Sequence, residues 1–335
     1  MPGSYELINY SLRGAKSAER KMLCEAMRKL SVFQTIESYR YIGLGSTYFS
    51  DFSLIHKMLG IERMTSIEKD NENSNRFDFN RPYSCIKMEY GHTEDILPNL
   101  NWAERCILWL DYDDRLTSSM LTDINTFISR AQTGSLFLLT CNAQADSAIN
   151  LEGGGIDLDK TIIYRTEELE KRIGRDKLPG ELTNNDLNHK GLPKLYYKIL
   201  LDEIAEQVLL RNIGAAEDDI LKFYPLFNFL YKDGAQMLTI GGLVIKQREF
   251  DLYEKANFDS LNFVRRDENA FHIEIPNLTL KEIKYLDYYL HTEYNQAADN
   301  LIPTGNLQAS GIPLDDIKKY AKIYRYFSSF AESIF

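Results

Sequence analysis

Residues 39–70 read YRYIGLGSTYFSDFSLIHKMLGIERMTSIEKD, and this stretch decides the fold. YRYIGL has the β-branched and aromatic character of a short strand, and it runs into Gly43-Leu44-Gly45-Ser46. YFSDFSLIHKML then spaces its apolar residues as one helix face, and Gly60 stops it. MTSIEKD is a second strand, closing on the acid Glu68. A glycine turn between strand and helix lets the backbone approach a ligand closely. A carboxylate at the second strand's end can accept hydrogen bonds from both hydroxyls of a ribose. Gly43, Gly45 and Glu68 therefore mark a site for a nucleoside-bearing ligand.

Downstream, SCIKMEYG (84–91), RCILWLDYDD (105–114) and SLFLLTCNA (135–143) are read as the third to fifth strands. Helical stretches at 72–80 and 120–131 lie between them, and His92-Thr93-Glu94-Asp95 is a loop after the third strand. CILWL and LFLL suit strands buried on both faces of a parallel sheet. The alternation predicts an α/β fold: a doubly wound, mostly parallel, Rossmann-like sheet. MLTIGGLVI (237–245) is read as a tight antiparallel hairpin turning at Gly241-Gly242. The fourth strand is expected to stop abruptly in acid at its end.

Upstream, residues 15–30 form an amphipathic helix with Ala15, Ala18, Met22, Ala26 and Leu30 on one face. Its cations, Arg13, Lys16, Arg20, Lys21, Arg28 and Lys29, are the one concentrated basic surface, expected to face solvent or else to hold a phosphate-bearing acceptor or the carboxylate of methionine. Residues 150–191 begin at Gly153-Gly154-Gly155 and turn charged; they read as an insertion over the sheet's ligand edge, either a lid or a solvated appendage. A long helix follows at 193–211. The expected partition is a Rossmann-like domain over 1–250 and a small, mainly helical C-terminal domain over 251–335. In the latter, Thr279 and Glu282 form a capping box and a final helix covers 315–330. Aromatics in YLDYYL (285–290) and YAKIYRYF (320–327) suit docking onto the main domain or dimer formation.

A net charge of -10 over 335 residues argues against coating nucleic acid through bulk charge. Cys24, Cys85, Cys106 and Cys141 make no CxxC pair, so neither a disulfide framework nor a zinc site is indicated. No stretch approaches the roughly 20 apolar residues of a membrane helix, and residues 1–21 hold no apolar signal core. The expected location is the cytoplasm, with no membrane partner.

Two cofactor classes use a glycine turn followed by an acid: dinucleotides and S-adenosylmethionine. A dinucleotide turn wants a third small residue, where this chain has the bulky Tyr48. Across about residues 38–250 the run of elements resembles class I S-adenosylmethionine-dependent methyltransferases. YIGLGS resembles that family's first motif, SIEKD its second, YGHTEDILP its third and WLDYDD its fourth. RGAKSAERKML (13–23) resembles bacterial proteins described as O-methyltransferases. The resemblance implies that Gly43, Gly45 and Ser46 approach the methionine end, that Glu68 takes the ribose, and that His92 or Glu94 lies near the adenine. It also implies that Asp111 points at the reacting centre. The chain departs from the pattern at Tyr41, where the family often has an acid, and at Thr47, where it has a third glycine.

Asp111, Asp113 and Asp114 are the carboxylates available as a base for the acceptor proton, with Asp111 and Asp113 preferred. They could equally hold a cation with Asn142, or form a solvated loop in which Asp114 caps a helix. Catechol-type methyltransferases carry Asp-Asn where this chain has Cys141-Asn142, so no metal is expected. No Asn/Asp-Pro-Pro-aromatic or Pro-Cys motif names an acceptor, which stays open among small molecule, nucleic acid and protein. A degenerate assembly module, for example in a bacterial defence system, is the competing reading; a dinucleotide-dependent oxidoreductase is a weaker one.

Overall fold

The computed structural model describes residues 13–152, 154–295, 299–302 and 305–328. Strands β1 (Arg40–Leu44), β2 (Arg63–Glu68), β3 (Ile86–Tyr90), β4 (Cys106–Arg115) and β5 (Ser135–Asn142) are parallel, in the spatial order β3-β2-β1-β4-β5. The chain winds outward from β1 in one direction, then returns to continue from β4 in the other. That reversal puts a crevice beyond the carboxyl ends of β1 and β4, where ligands bind in open α/β sheets.

β7 (Ala235–Lys246) adds antiparallel to β5, β6 (Leu221–Asp233) adds antiparallel to β7, and β8 (Phe271–Ile273) closes the edge parallel to β6. The expected hairpin exists, but its turn lies at Gly234 (φ 101°), between the paired Asp233 and Ala235. Gly241 and Gly242 lie in the middle of β7 instead. A Cβ at Gly241 would stand 2.4 Å from the Phe137 carbonyl oxygen, and one at Gly242 would stand 2.2 Å from that of Tyr224. These glycines serve close strand approach rather than a turn. The DYDD run lies in β4 as read, but the strand does not stop there: after a register shift beyond Asp111 it pairs again at Arg115, opposite Asn142. Asp114 does not cap the helix that follows, Ser118–Arg130, whose N-cap is an extended Thr117.

Successive strand residues alternate between two cores. Tyr41, Trp109 and Leu138 face one, against α1 (Gly14–Arg28) and α2 (Ser50–Leu59). Ile42, Leu108, Leu110, Phe137 and Leu139 face the other. Of the helices between, α3 (Ser74–Asn80) and the one-turn α4 (Thr93–Ile96) precede β4, and α5 (Ser118–Arg130) covers the second core. α6 (Leu158–Ile173) and the short α7 (Asn184–Leu187) form the segment inserted after β5, and α8 (Leu192–Arg211) joins α5 on the second core. α6 seats Leu169 and Ile173 there and leaves its charged face outward.

Beyond β7, α9 (Phe250–Ala256), Phe258, Phe263 and β8 complete the first core. α10 (Leu280–Glu293), with the Thr279–Glu282 capping box, α11 (Asn306–Ala309) and α12 (Leu314–Ile323) gather a third core around Leu286, Leu290, Ile317 and Tyr320. Strand pair β9 (Tyr294–Asn295) and β10 (Asn300–Leu301) joins them. The final helix ends at Ile323; residues 324–326 turn, and 329–330 lie outside the described residues. Tyr326 sits in the first core against α1, where Lys21 Nζ donates to its carbonyl at 3.2 Å. Among the described residues no helix is long and apolar enough to cross a membrane.

Candidate functional site

The crevice at the switch point begins with the β1 turn. The Gly45 N–H donates to the Ile67 carbonyl, drawing the turn against β2. A Cβ on Gly45 would lie 3.0 Å from Glu68 Cβ, 3.1 Å from Glu68 Oε2 and 3.1 Å from Ser66 Oγ. A Cβ on Gly43 would lie 2.8 Å from the Tyr41 hydroxyl. Both glycines thus let the turn lie close against Tyr41, Ser66 and Glu68, where any side chain would crowd them. Beside it Ser66 Oγ is buried without a hydrogen-bond partner among the described residues, an orphaned donor. Glu68 is buried at the end of β2 and accepts from the Asp70 N–H at 2.9 Å; burial pushes its carboxyl up. Ser46 lies half-buried in the same turn. Phe49, at the head of α2, is fully buried in the left-handed region (φ 45°), a costly state for a bulky residue and common beside ligand sites.

Tyr41, where the resemblance implies an acid, is fully buried, and a carboxylate lies against its hydroxyl. The Tyr41 hydroxyl donates to Asp51 Oδ2 from the first turn of α2. Burial pushes the Asp51 carboxyl up, while the nearby Arg20 guanidinium pulls it down.

Asp111 leaves β4 on the α1 side, and there α1 departs from expectation. Lys16, Glu19 and Arg20, at i, i+3 and i+4, are buried under α1 rather than solvated. The Lys16 ammonium lies 2.6 Å from Asp111 Oδ1, 2.7 Å from Glu19 Oε2 and 3.0 Å from the Tyr231 hydroxyl. It also lies 4.7 Å from the centre of the Trp109 ring, a cation–π contact. Burial pushes the Glu19 carboxyl up, opposed by Lys16. α1 is anchored there by Asp233, whose carboxylate accepts from the Lys16 N–H at 2.9 Å and the Ala15 N–H at 3.4 Å. Helix N-termini favour such a negative partner. Asp111 keeps 28% of its side chain exposed, so it faces both the buried cation and the crevice. Asp113 and Asp114 are exposed farther along β4, and Asp114 makes only a loose pair with Lys69 at 3.6 Å. Asn142 Oδ1 accepts from the Gln144 N–H at 2.9 Å. Among the described residues no three His, Cys, Asp or Glu gather as metal ligands.

After β3, His92 and Glu94 are exposed at the start of α4. Thr93 between them is the tethered residue. Its hydroxyl donates to Asp123 Oδ2 at 2.6 Å and lies 3.0 Å from the Tyr112 hydroxyl, which also bonds Asp123. Burial pushes the Asp123 carboxyl up to about 6. The sequence reading missed this cluster and the Lys16–Glu19–Arg20 group. A signal existed for Asp123: it lies in register with Met120, Ile124 and Phe127, on the buried face of α5. For α1 the signal was a helix rich in alanine, with little bulk to hold its charges away from the protein.

The family model described as "Putative O-methyltransferase" matches residues 8–335, almost the whole chain. No curated protein matches the chain. Among solved structures, Trm1 from Pyrococcus horikoshii with S-adenosyl-L-methionine is similar at 10% identity and a TM-score of 0.44, covering 75% of this chain and 60% of its own. PigF with SAH is similar at 13% identity and a TM-score of 0.32, with coverages of 68% and 64%. LepI in complex with SAM is similar at 10% identity and a TM-score of 0.34, with coverages of 64% and 46%. The match thus spans under two thirds of each of these chains.

Proposed function

The chain belongs to this O-methyltransferase family, and from that premise we propose that it binds S-adenosylmethionine in the β1–β2 crevice and transfers its methyl group to an acceptor presented above β4. The close approach of the Gly43–Gly45 turn to the buried carboxylate of Glu68, at the sheet's switch point, is the observation that carries the reading. The cofactor supplies an activated methyl group on a sulfonium. Glu68 would accept hydrogen bonds from the ribose hydroxyls, and His92 or Glu94, exposed beside α4, would border the adenine. Thr93, held by Tyr112 and Asp123, fixes that loop.

Tyr41 counts against degeneracy rather than for it, because its hydroxyl is tied to a carboxylate, Asp51. Asp51 would meet the methionine ammonium from α2 in place of an acid on β1. Asp111 is the preferred base: it borders the crevice, and Lys16 fixes its orientation. Asp113, two residues farther along the strand and solvated, is the lesser candidate.

The test is calorimetric titration of the pure protein with S-adenosylmethionine and, separately, with NAD. Binding of the former, weakened at least tenfold in Glu68→Ala, is expected, since a charge-assisted hydrogen bond contributes about 1.5–3 kcal/mol. Unchanged affinity in that variant would remove Glu68 from the ribose site. Binding of neither ligand would turn the reading toward an assembly module.

A further inference from the structure

Two cavities open at opposite ends of the sheet. The one of about 480 Å3 lies where the strands begin, and its charges are already matched, Arg63 with Glu104 and Arg105 with Glu249. The other, of about 700 Å3, lies at the carboxyl end of β5, between the loop 144–148, the inserted α6–α7 segment and the β6–β7 turn. This second cavity opens at the same, carboxyl end of the sheet as the proposed reaction centre. Asp111 is paired with Thr140 in β5, four residues before Gln144, and Lys232 on the cavity wall follows Tyr231, which bonds Lys16.

Its electrostatics are one-sided. The single carboxylate in the lining, Asp146, is neutralised from behind by Arg172 at 2.9 Å and Arg115 at 3.4 Å. Arg165 lines the cavity while its guanidinium also donates to the carbonyls of Asp146 and Leu187, which fixes it in place. Lys232 and the ring of His189 are exposed toward it without a side-chain partner among the described residues. Ile156 and Leu158, half-exposed at 52% and 54%, supply an apolar wall. A fixed guanidinium, a free ammonium and an apolar wall suit a small molecule with an apolar body and an anionic group.

We infer that this cavity seats the methyl acceptor, and that the acceptor carries a carboxylate or phosphate held between Lys232 and Arg165. The inference rests on the methyl-transfer reading above. It makes the inserted segment part of the acceptor wall rather than a solvated appendage.

The test uses the full chain and three probes sharing one ring: benzamide, benzoate and phenyl phosphate, followed by ligand-observed NMR. Both anions, or one of them, should bind at least tenfold tighter than benzamide, and the tighter anion names the group. Lys232→Met should abolish that preference and Lys232→Arg should keep it. Lys232 is exposed and has no side-chain partner among the described residues, so neither change threatens folding. Equal binding of all three probes, no binding of any, or a preference that survives Lys232→Met would overturn the inference. S-adenosylmethionine is titrated into the same samples. Cofactor binding without anion preference removes only the acceptor site, whereas anion preference without cofactor binding removes the methyl-transfer reading itself.

Discussion

Helices α1 and α6 look alike as sequence: each mixes acids and bases at helical spacing around a few apolar residues. Their charges end in opposite environments. Lys16 and Glu19 of α1 are 3% and 0% exposed, while the Lys171 and Glu168 pair of α6 is 68% and 30% exposed. Removing ions from water costs several kcal/mol each, and their mutual attraction rarely returns more than that. A helix needed only as cover can bury uncharged residues alone, as α6 does with Thr161, Leu169 and Ile173, whereas α1 buries Lys16, Glu19 and Arg20 beside Met22, Leu23 and Met27. The buried charges of α1 lie instead where Asp111, Tyr231 and Asp233 emerge from the sheet. Charge burial thus separates the helix that packs on Asp111, the proposed base, from the one at the proposed acceptor cavity.

The largest effect is expected at the carboxylate that α1 serves. Asp111→Asn should lower methyl transfer by about 10²–10⁴-fold, the usual contribution of a general base. The readout is adenosylhomocysteine formed with an acceptor-bearing extract, while calorimetry shows cofactor affinity unchanged. Retained turnover would leave α1 with a structural role only.

Lys16→Met should come next, destabilising the fold by about 3–5 kcal/mol in urea unfolding, because it strands Glu19 and Asp111 without their cation. Lys171→Met, the matched change on α6, should leave the urea midpoint where it was. Equal responses from the two helices would erase the contrast.

A subtler test lies in Asp123, an acid buried without a cation. Its folded carboxyl is raised to about 6 from an ordinary 3.8. Between those values the folded state holds a proton that the unfolded state has lost. The stability it contributes is therefore fully present below pH 3.8 and is lost as pH rises through about 6. The loss amounts to roughly 3 kcal/mol at about 1.4 kcal/mol per pH unit. Asp123→Asn should flatten that decline in unfolding free energies measured from about pH 4 to 7. A slope identical to the parent would mean that Asp123 ionises as easily folded as unfolded.

Much of this architecture was legible because parallel strands announce themselves. CILWL and LFLL are apolar on both faces, and a glycine turn followed by an acid fits few arrangements. Gly43, Gly45 and Glu68 could be singled out because a backbone near a ligand and a carboxylate at a strand end are local requirements. The hairpin was found and its turn misplaced, since a glycine pair reads the same in a turn as in a strand pressed between the Phe137 and Tyr224 carbonyls. That β4 runs on past its acids to Arg115 was not legible in its own residues, because the pairing of Arg115 with Asn142 depends on β5, not on β4.

The sequence by itself determined the order of elements, the two-faced burial of the strands and the position of the glycine turn, all set by interactions between near neighbours along the chain. The tertiary structure alone decided which charges are buried. Lys16 meets Asp111 95 residues away and Tyr231 215 residues away, and the Thr93–Asp123 bond spans 30. Helical periodicity says which residues share a face, but the cost of burying them is set by what the rest of the fold brings against that face.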